Sequence, residues 1–502
     1  MQNNQREIFF VALLTMLGLA VRLSAPLSAS FPLNDGGLFY QMIIDLQNNG
    51  FSLPAVTTYN FADVPYAYPP LAFYLYGLLS AAGIPLLKLM QYAPALVSTL
   101  TIPIFYALAK DLLGSRRQAL FGAMAFALVP RAFDWLIMGG GVTRSLGFLF
   151  AILAIHRAHS LFSNPAARQV ILTTLFSGLV VLTHPEASVH TAIAAAFFYL
   201  WKDRTAKGAL RAATAAIGTL IIAAPWWVTV LMRHGSAPFH AAMTAASENS
   251  LDFVLRAFAL IKFEFTDEPF MQLISVVGLL GLFTLLAQRK PALPIWLALI
   301  AFLEPRGGAL YMTLPLCMSV GAAFEQGILP ILKPQDERLR PWAWNAFIGF
   351  FLLYGMINAS ITASNIVRQL TLTPDDLDAF AWVKANTPSG SEFIVITQGL
   401  PFNDSTSEWF PILAERRSTA TVFGYEWVND GNFTARVQSY EELQKCANEG
   451  LPCLETWAQT TNFSHIYVRE KQPFPLSMPL SVSPNYKAVY QTGKITIFER
   501  IP

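Results

Sequence analysis

Long apolar runs, separated by short polar loops, constrain this chain more than any other feature. A bilayer-spanning helix needs about 20 predominantly apolar residues. Candidate spans lie at 8–25, 92–113, 118–137, 142–162, 168–183, 188–201, 210–231, 271–288, 292–303, 308–325 and 343–364. Inside hydrocarbon, backbone N–H and C=O groups must pair within the protein, so such runs form helices. The reading is a polytopic α-helical membrane protein of about eleven transmembrane helices. The chain has 502 residues, 54% hydrophobic and 13% charged, against about 25% charged in soluble domains. A net charge of +2 gives no general pull toward nucleic acid, and no such partner is expected.

The charges set the topology. Lys/Arg-rich loops face the cytoplasm. Here they are Gly114-Ser-Arg-Arg-Gln118, His156 to Arg168, Trp201 to Arg211, Gln288-Arg-Lys290 and Lys333 to Arg340. They fall at every second loop when 8–25 runs from inside to outside. This keeps the N-terminus cytoplasmic and places the C-terminus outside. The alternation requires that 69–87, which begins Tyr-Pro-Pro and contains Gly77 and Gly83, lies in the outer interface instead of crossing. The run 8–25, interrupted by Arg22, shows no small-residue cleavage site and reads as a retained span.

Three outer features follow: a first loop 26–91, a second loop 232–270 with an amphipathic helix near 245–265, and the tail. The expected division is a membrane domain over 1–364 and an extracytoplasmic α/β domain over 365–502. In the tail, Thr373-Pro-Asp-Asp376 starts a helix over 375–386, and strands follow near 392–397, 464–468, 486–490 and 495–499. Cys446 and Cys453 suit either a disulfide in an oxidising compartment or two free thiols, and Cys317 reads as a packing residue.

Asp35 lies in the first polar segment, Phe31-Pro-Leu-Asn-Asp-Gly-Gly-Leu-Phe-Tyr40. An Asn-Asp-Gly-Gly sequence readily forms a solvated turn. A carboxylate at this position of a many-span protein also suits a base at the membrane surface. Asn34 can orient an acceptor or cap the following helix, and the cap is favoured. Arg306, in Glu304-Pro-Arg-Gly-Gly308, can hold a phosphate bidentately or pair with Glu304. Arg144 follows Gly139-Gly-Gly-Val-Thr, and either contacts phosphate or sugar or reaches the headgroups. His184-Pro-Glu186 closes a span, and its His and Glu suit hydrogen bonding to a sugar or at the interface. No third metal ligand accompanies them. Arg131 and Asp134 read as a structural pair.

Several segments resemble the GT-C superfamily of membrane glycosyltransferases, in particular the family 39-like enzymes related to protein mannosyltransferases and aminoarabinose transferases. They are the Asp35 loop, Tyr68-Pro-Pro-Leu-Ala-Phe-Tyr74, Tyr92-Ala-Pro-Ala-Leu to Gly114-Ser-Arg-Arg, Glu304-Pro-Arg306 to Leu314-Pro315, Trp382-Val-Lys-Ala-Asn-Thr-Pro388 and Glu408-Trp-Phe-Pro to Arg416-Arg417. The resemblance implies transfer of a sugar from a polyprenyl-phosphate donor to a lipid, glycan or protein acceptor on the outer face. It assigns Asp35 as catalytic acid–base residue and tips Arg306 toward phosphate. Arg144, His184, Glu186, Asn34 and Tyr68 complete the expected substrate-binding set. Gly36 stands where the family often has a second acid, and Ala67 and Tyr68 where a basic residue often precedes the Pro-Pro-Leu segment. No cofactor is assigned; a divalent metal is left open. The rival classes are a lipid-linked-sugar flippase or transporter, a polysaccharide polymerase or ligase, and a non-catalytic scaffold.

Overall fold

The structure is a computed structural model and describes residues 2–248, 272–303, 307–332, 340–428, 432–459, 461–470 and 476–501. The membrane part is built from α1 (Gln2–Ser28), α4 (Leu86–Leu113), α5 (Arg116–Leu128), α6 (Gly141–Ser163), α7 (Ala167–Val181), α8 (Pro185–Lys202) and α9 (Ala206–His234). It continues in α11 (Leu273–Ala287), α12 (Ala292–Leu303), α13 (Gly308–Ala322) and α14 (Arg340–Gln369). Between α1 and α4 lie α2 (Gly37–Asn48) and α3 (Leu71–Ala81); α10 (Ala237–Glu248) follows α9. Among the described residues, six helices are long and apolar enough to cross a membrane, and four shorter helices are also apolar. Ile8, Phe9, Leu13 and Met16 of α1, and Ile217, Leu220 and Ile221 of α9, stay exposed. In a multi-pass membrane protein such apolar belts face lipid.

Two elements differ from expectation. The span expected over 118–137 stops at Leu128. Pro130 forces Val129 into an extended conformation (φ −68°, ψ 121°), and a single 3₁₀ turn follows. This leaves carbonyls at the end of α5 without helical partners. The buried Arg22 guanidinium donates to two of them, Ala127 at 2.7 Å and Phe126 at 3.5 Å, and to Ser98 Oγ at 3.0 Å. Arg22 thus caps a broken helix inside the bundle. The helix expected over 69–87 is α3, which ends before Gly83 (φ 100°), and α4 starts at Leu86. The amphipathic helix expected near 245–265 lies largely outside the described residues.

The C-terminal unit begins with α15 (Pro374–Asn386), capped by a reciprocal pair in which Thr373 Oγ1 accepts from the Asp376 N–H and Asp376 accepts from the Thr373 N–H. Its sheet contains β3 (Glu392–Ile396), β4 (Arg417–Ser418), β5 (His465–Arg469), β6 (Tyr486–Thr492) and β7 (Ile495–Arg500), in the order β4-β3-β5-β7-β6. The β1–β2 pair (Val56–Thr57 with Val64–Pro65) lies between α2 and α3. β3 pairs in parallel with β4 and β5; β7 pairs antiparallel with β5 and β6. α16 (Ser405–Leu413), α17 (Phe433–Glu449) and α18 (Leu451–Ala458) complete the unit with a short α19 (Ser477–Val482). Cys446 and Cys453 are disulfide-bonded across the α17–α18 turn, with Cα atoms 5.2 Å apart. Cys317 is buried and unbridged.

The cores explain how this unit is seated. One cluster runs through α1, α4–α8 and α11–α14. A second joins Leu38, Met42, Ile43 and Leu46 of α2, and Phe73 of α3, to Phe393, Trp409, Phe410 and Tyr467 of the C-terminal unit. The segment between α1 and α4 and the C-terminal unit therefore share one continuous core.

Candidate active site

Asp35 sits where the chain turns from α1 into α2, pressed against the N-terminus of α6. The Gly139 N–H donates to the Leu33 carbonyl at 2.7 Å, and the Asn34 N–H to the Leu370 carbonyl at 2.6 Å. The Gly140 N–H donates to Asp35 Oδ1 at 2.8 Å. Arg144 Nη2 pairs with Asp35 Oδ2. A helix N-terminus and a guanidinium are both attractive partners for a carboxylate, and here they hold Asp35 in place. Arg144 is held on its other side by the Trp135 carbonyl at 3.2 Å and the Trp135 ring, 5.1 Å from the guanidinium carbon.

Glycine makes the approach feasible. Gly36 has φ 121°, and a Cβ there would lie 2.9 Å from the Gly139 carbonyl carbon. A Cβ at Gly139 would overlap the Asp35 carbonyl oxygen. Gly139→Ala is therefore expected to push the Asp35 segment off α6 and lower turnover by about 10²-fold or more, since a displacement of about 1 Å costs that much. Turnover measured on folded, monodisperse protein checks this; an unchanged rate contradicts the placement of the base.

The other candidates surround α6. Tyr68 Oη lies 3.2 Å from Thr143 Oγ1, next to Arg144. The Tyr68 ring contacts Phe39 at 4.8 Å, Trp427 at 5.6 Å and His184 at 6.3 Å between centroids. His184 caps α8, its Nδ1 accepting from the Ala187 N–H at 3.4 Å, and packs on Gly147 of α6. Tyr68 and Glu186 lie within electrostatic reach of Arg144. A Cβ on Gly307 would stand 2.7 Å from Glu186 Oε2, so the start of α13 reaches the same corner. Arg306 and Glu304 lie outside the described residues.

Asn34 differs from the favoured reading. α2 begins at Gly37 with Gly36 at its cap position and no side-chain cap. The Asn34 side chain instead donates to the Phe402 carbonyl at 3.3 Å and approaches Met138 Sδ at 3.5 Å. The reason is the left-handed turn at Asn34 (φ 51°), which aims its side chain away from α2. Arg131 and Asp134 form their pair at 3.1 Å. Asp45 is structural, accepting from Thr57 Oγ1 at 2.7 Å and the Thr58 N–H at 2.9 Å.

One acid in this region comes from the C-terminal unit. Glu408 Oε1 accepts the Gly36 N–H at 2.9 Å. Burial first, then the Asp35 charge, pushes its carboxyl well above the ordinary range; the Gly36 and Leu38 N–H groups and Arg144 act in the opposite direction. Its segment is recognisable in sequence, but nothing there connects it with Asp35.

Together these features define a multi-pass membrane protein whose candidate site is held between α6 and a C-terminal sheet unit, and its fold is shared with solved membrane glycosyltransferases. It is similar to the Archaeoglobus fulgidus oligosaccharyltransferase AglB in complex with an inhibitory peptide and a dolichol-phosphate: TM-score 0.58, 15% identity, 93% of this chain and 70% of that one. It is also similar to ArnT from Cupriavidus metallidurans bound to undecaprenyl phosphate: TM-score 0.57, 14% identity, 98% of each chain. The mycobacterial arabinofuranosyltransferase AftD matches at TM-score 0.52 and 18% identity, over 97% of this chain and 41% of that one. No protein-family model and no curated protein matches the sequence.

Proposed function

We propose that the chain is an integral membrane glycosyltransferase that moves a sugar from a polyprenyl-phosphate donor to a hydroxyl acceptor on the outer face. The observation that carries this reading is the Asp35 carboxylate, fixed by the Gly140 N–H and Arg144 at one end of the bundle. Each carboxylate oxygen keeps a further lone pair. Asp35 can therefore accept the acceptor's proton while still held. The acceptor oxygen attacks the anomeric carbon, the bond from that carbon to the phosphate oxygen breaks, and the phosphate leaves with the electron pair. A single displacement of this kind inverts the anomeric centre.

Arg306 is assigned to the donor phosphate, with Arg144 as a second cation near the reacting atoms. Tyr68, His184 and Glu186 are assigned to the sugar, and Asn34 to the base's support. The lipid-phosphate ligands of the AglB and ArnT structures support a lipid-linked donor. Among the described residues no group of three or more His, Cys, Asp or Glu side chains is placed to hold a metal ion.

The test is consumption of a panel of polyprenyl-phosphate hexoses and pentoses by purified protein. At least one donor is expected to yield free polyprenyl phosphate in an Asp35-dependent manner. Asp35-independent flipping of these lipids in vesicles, with no donor consumed, supports the transporter reading instead.

We assign the outer face to the C-terminal unit from the alternation of basic loops, and the Cys446–Cys453 bridge supports this. Asn432→Cys should react with an impermeant maleimide in intact cells. Reaction only after the membrane is breached inverts the topology.

A further inference from the structure

Glu408 lies in the first turns of α16, whose N-terminus is capped by Asp404 accepting from the Ser407 N–H at 3.0 Å. It is 2% exposed. Its Oε1 accepts from two N–H groups of the Asp35 segment, Gly36 at 2.9 Å and Leu38 at 3.3 Å. These are donors at the start of α2, where helical partners are missing. The Glu408 carbonyl accepts from Tyr59 Oη at 2.8 Å and would lie 2.8 Å from a Cβ on Gly37. Trp409 donates its indole N–H to the Asn34 carbonyl at 3.1 Å. Residues 408 and 409 thus hold the backbone on both sides of Asp35. The other carboxyl oxygen, Oε2, is buried and has no hydrogen-bond partner among the described residues.

We propose that Glu408 is a positioning residue for Asp35: it latches the C-terminal unit onto two N–H groups that follow the base in the chain. This rests on the reading of Asp35 as base. The latch works as a neutral carboxylic acid. One oxygen accepts both N–H groups, and the proton resides on the enclosed Oε2, where a bare anionic oxygen would be costly. The charged and titratable groups around it agree with this form. Asp35 repels a second negative charge, and Arg144 is already paired with Asp35. Tyr59 donates to the Glu408 carbonyl, Asp404 is committed to its cap and to Tyr440, and Asp376 to Tyr467 and Arg469. The base is therefore assembled only when the C-terminal unit is docked.

The proton has a sign that can be checked. An ordinary glutamate ionises near 4.5, and Glu408 is held above that when folded. Between the two values the folded state binds the extra proton, so stability falls as pH rises through that window. Glu408→Gln keeps an accepting oxygen and cannot ionise. Its apparent melting temperature, relative to the parent, should rise as the pH is raised through the window between the ordinary and the folded value.

The decisive comparison is full-length Glu408→Gln and Glu408→Ala in lipid nanodiscs, with undecaprenyl phosphate as the binding probe and the polyprenyl-phosphate sugar panel for turnover. The Gln variant is expected to keep most turnover and to depend less on pH than the parent across that window. The Ala variant should lose about 10²-fold in kcat while binding undecaprenyl phosphate as the parent does. The infrared difference between parent and Gln variant at neutral pH should show a protonated carboxyl C=O band. Equal losses in the Gln and Ala variants, or absence of that band, overturn the neutral latch. Full turnover in the Ala variant, with Asp35→Asn inactive, shows that Glu408 does not position the base and leaves the base itself standing. Full turnover in Asp35→Asn removes the base reading instead. The infrared band and melting profile do not depend on turnover and still decide the neutral docking form, even where the Ala variant fails to fold.

Discussion

Asp35→Asn is expected to lower sugar transfer by roughly 10²–10⁴-fold, the range typical of losing a positioned general base. Asparagine keeps the shape and can still accept the Gly140 N–H with its amide oxygen. It cannot take the acceptor's proton. Donor binding should change little, because the donor phosphate is assigned to cations and not to Asp35. Turnover and undecaprenyl phosphate affinity, measured on one preparation, separate the two effects. Normal transfer by Asp35→Asn contradicts the proposed mechanism at its centre.

Arg144→Ala should be nearly as damaging, for a different reason. The pair is well enclosed, with side-chain exposures of 22% for Arg144 and 10% for Asp35. Removing one partner of a buried pair leaves an uncompensated charge, a cost of about 3–5 kcal/mol in fully buried cases and less here. The Asp35 carboxyl then has the Gly140 N–H as its remaining described partner. Transfer is expected to fall by about 10²–10³-fold, as when a fixed charge-stabilising donor is removed. Arg144→Lys should recover part of this, since a point charge satisfies Asp35 but cannot also reach the Trp135 carbonyl in the same plane. The double variant Asp35→Asn/Arg144→Ala supplies the check. If the two residues act as a unit, the combined loss is far smaller than the product of the single losses. Multiplicative losses show two independent roles.

The legible part of this site consists of residues whose position in the topology carries meaning. Asp35 could be picked out because a carboxylate on the first polar segment of such a chain stands at the end of a membrane helix. Arg144 could be picked out because an arginine at the start of an apolar run is costly unless it has a task. Its partner could not, since a guanidinium serves a phosphate, a headgroup or a carboxylate equally well. Asn34 misled because Asn before a helix is a common cap, whereas its left-handed φ turns the side chain away. The glycines at 139 and 140 read as a short turn, and their close approach to Asp35 emerges only from the packing of α6 against the 33–36 segment.

By itself the sequence determined that the chain is a bundle of membrane helices with an α/β tail. Both follow from local patterns: apolar length, basic loops, the Thr373–Asp376 cap, and alternating strands. Those signals act over a few turns of chain, and each element needs only its own residues to declare it. The tertiary structure alone decided that Glu408 holds the Asp35 segment, across 372 residues of sequence. That contact depends on where a sheet unit docks on α2, which is set by the core that Trp409 and Phe410 share with the distant Leu38 and Met42. A buried carboxyl looks in sequence like any surface glutamate. Its burial, and with it the proton it keeps, arises only when two distant parts of the chain close over it.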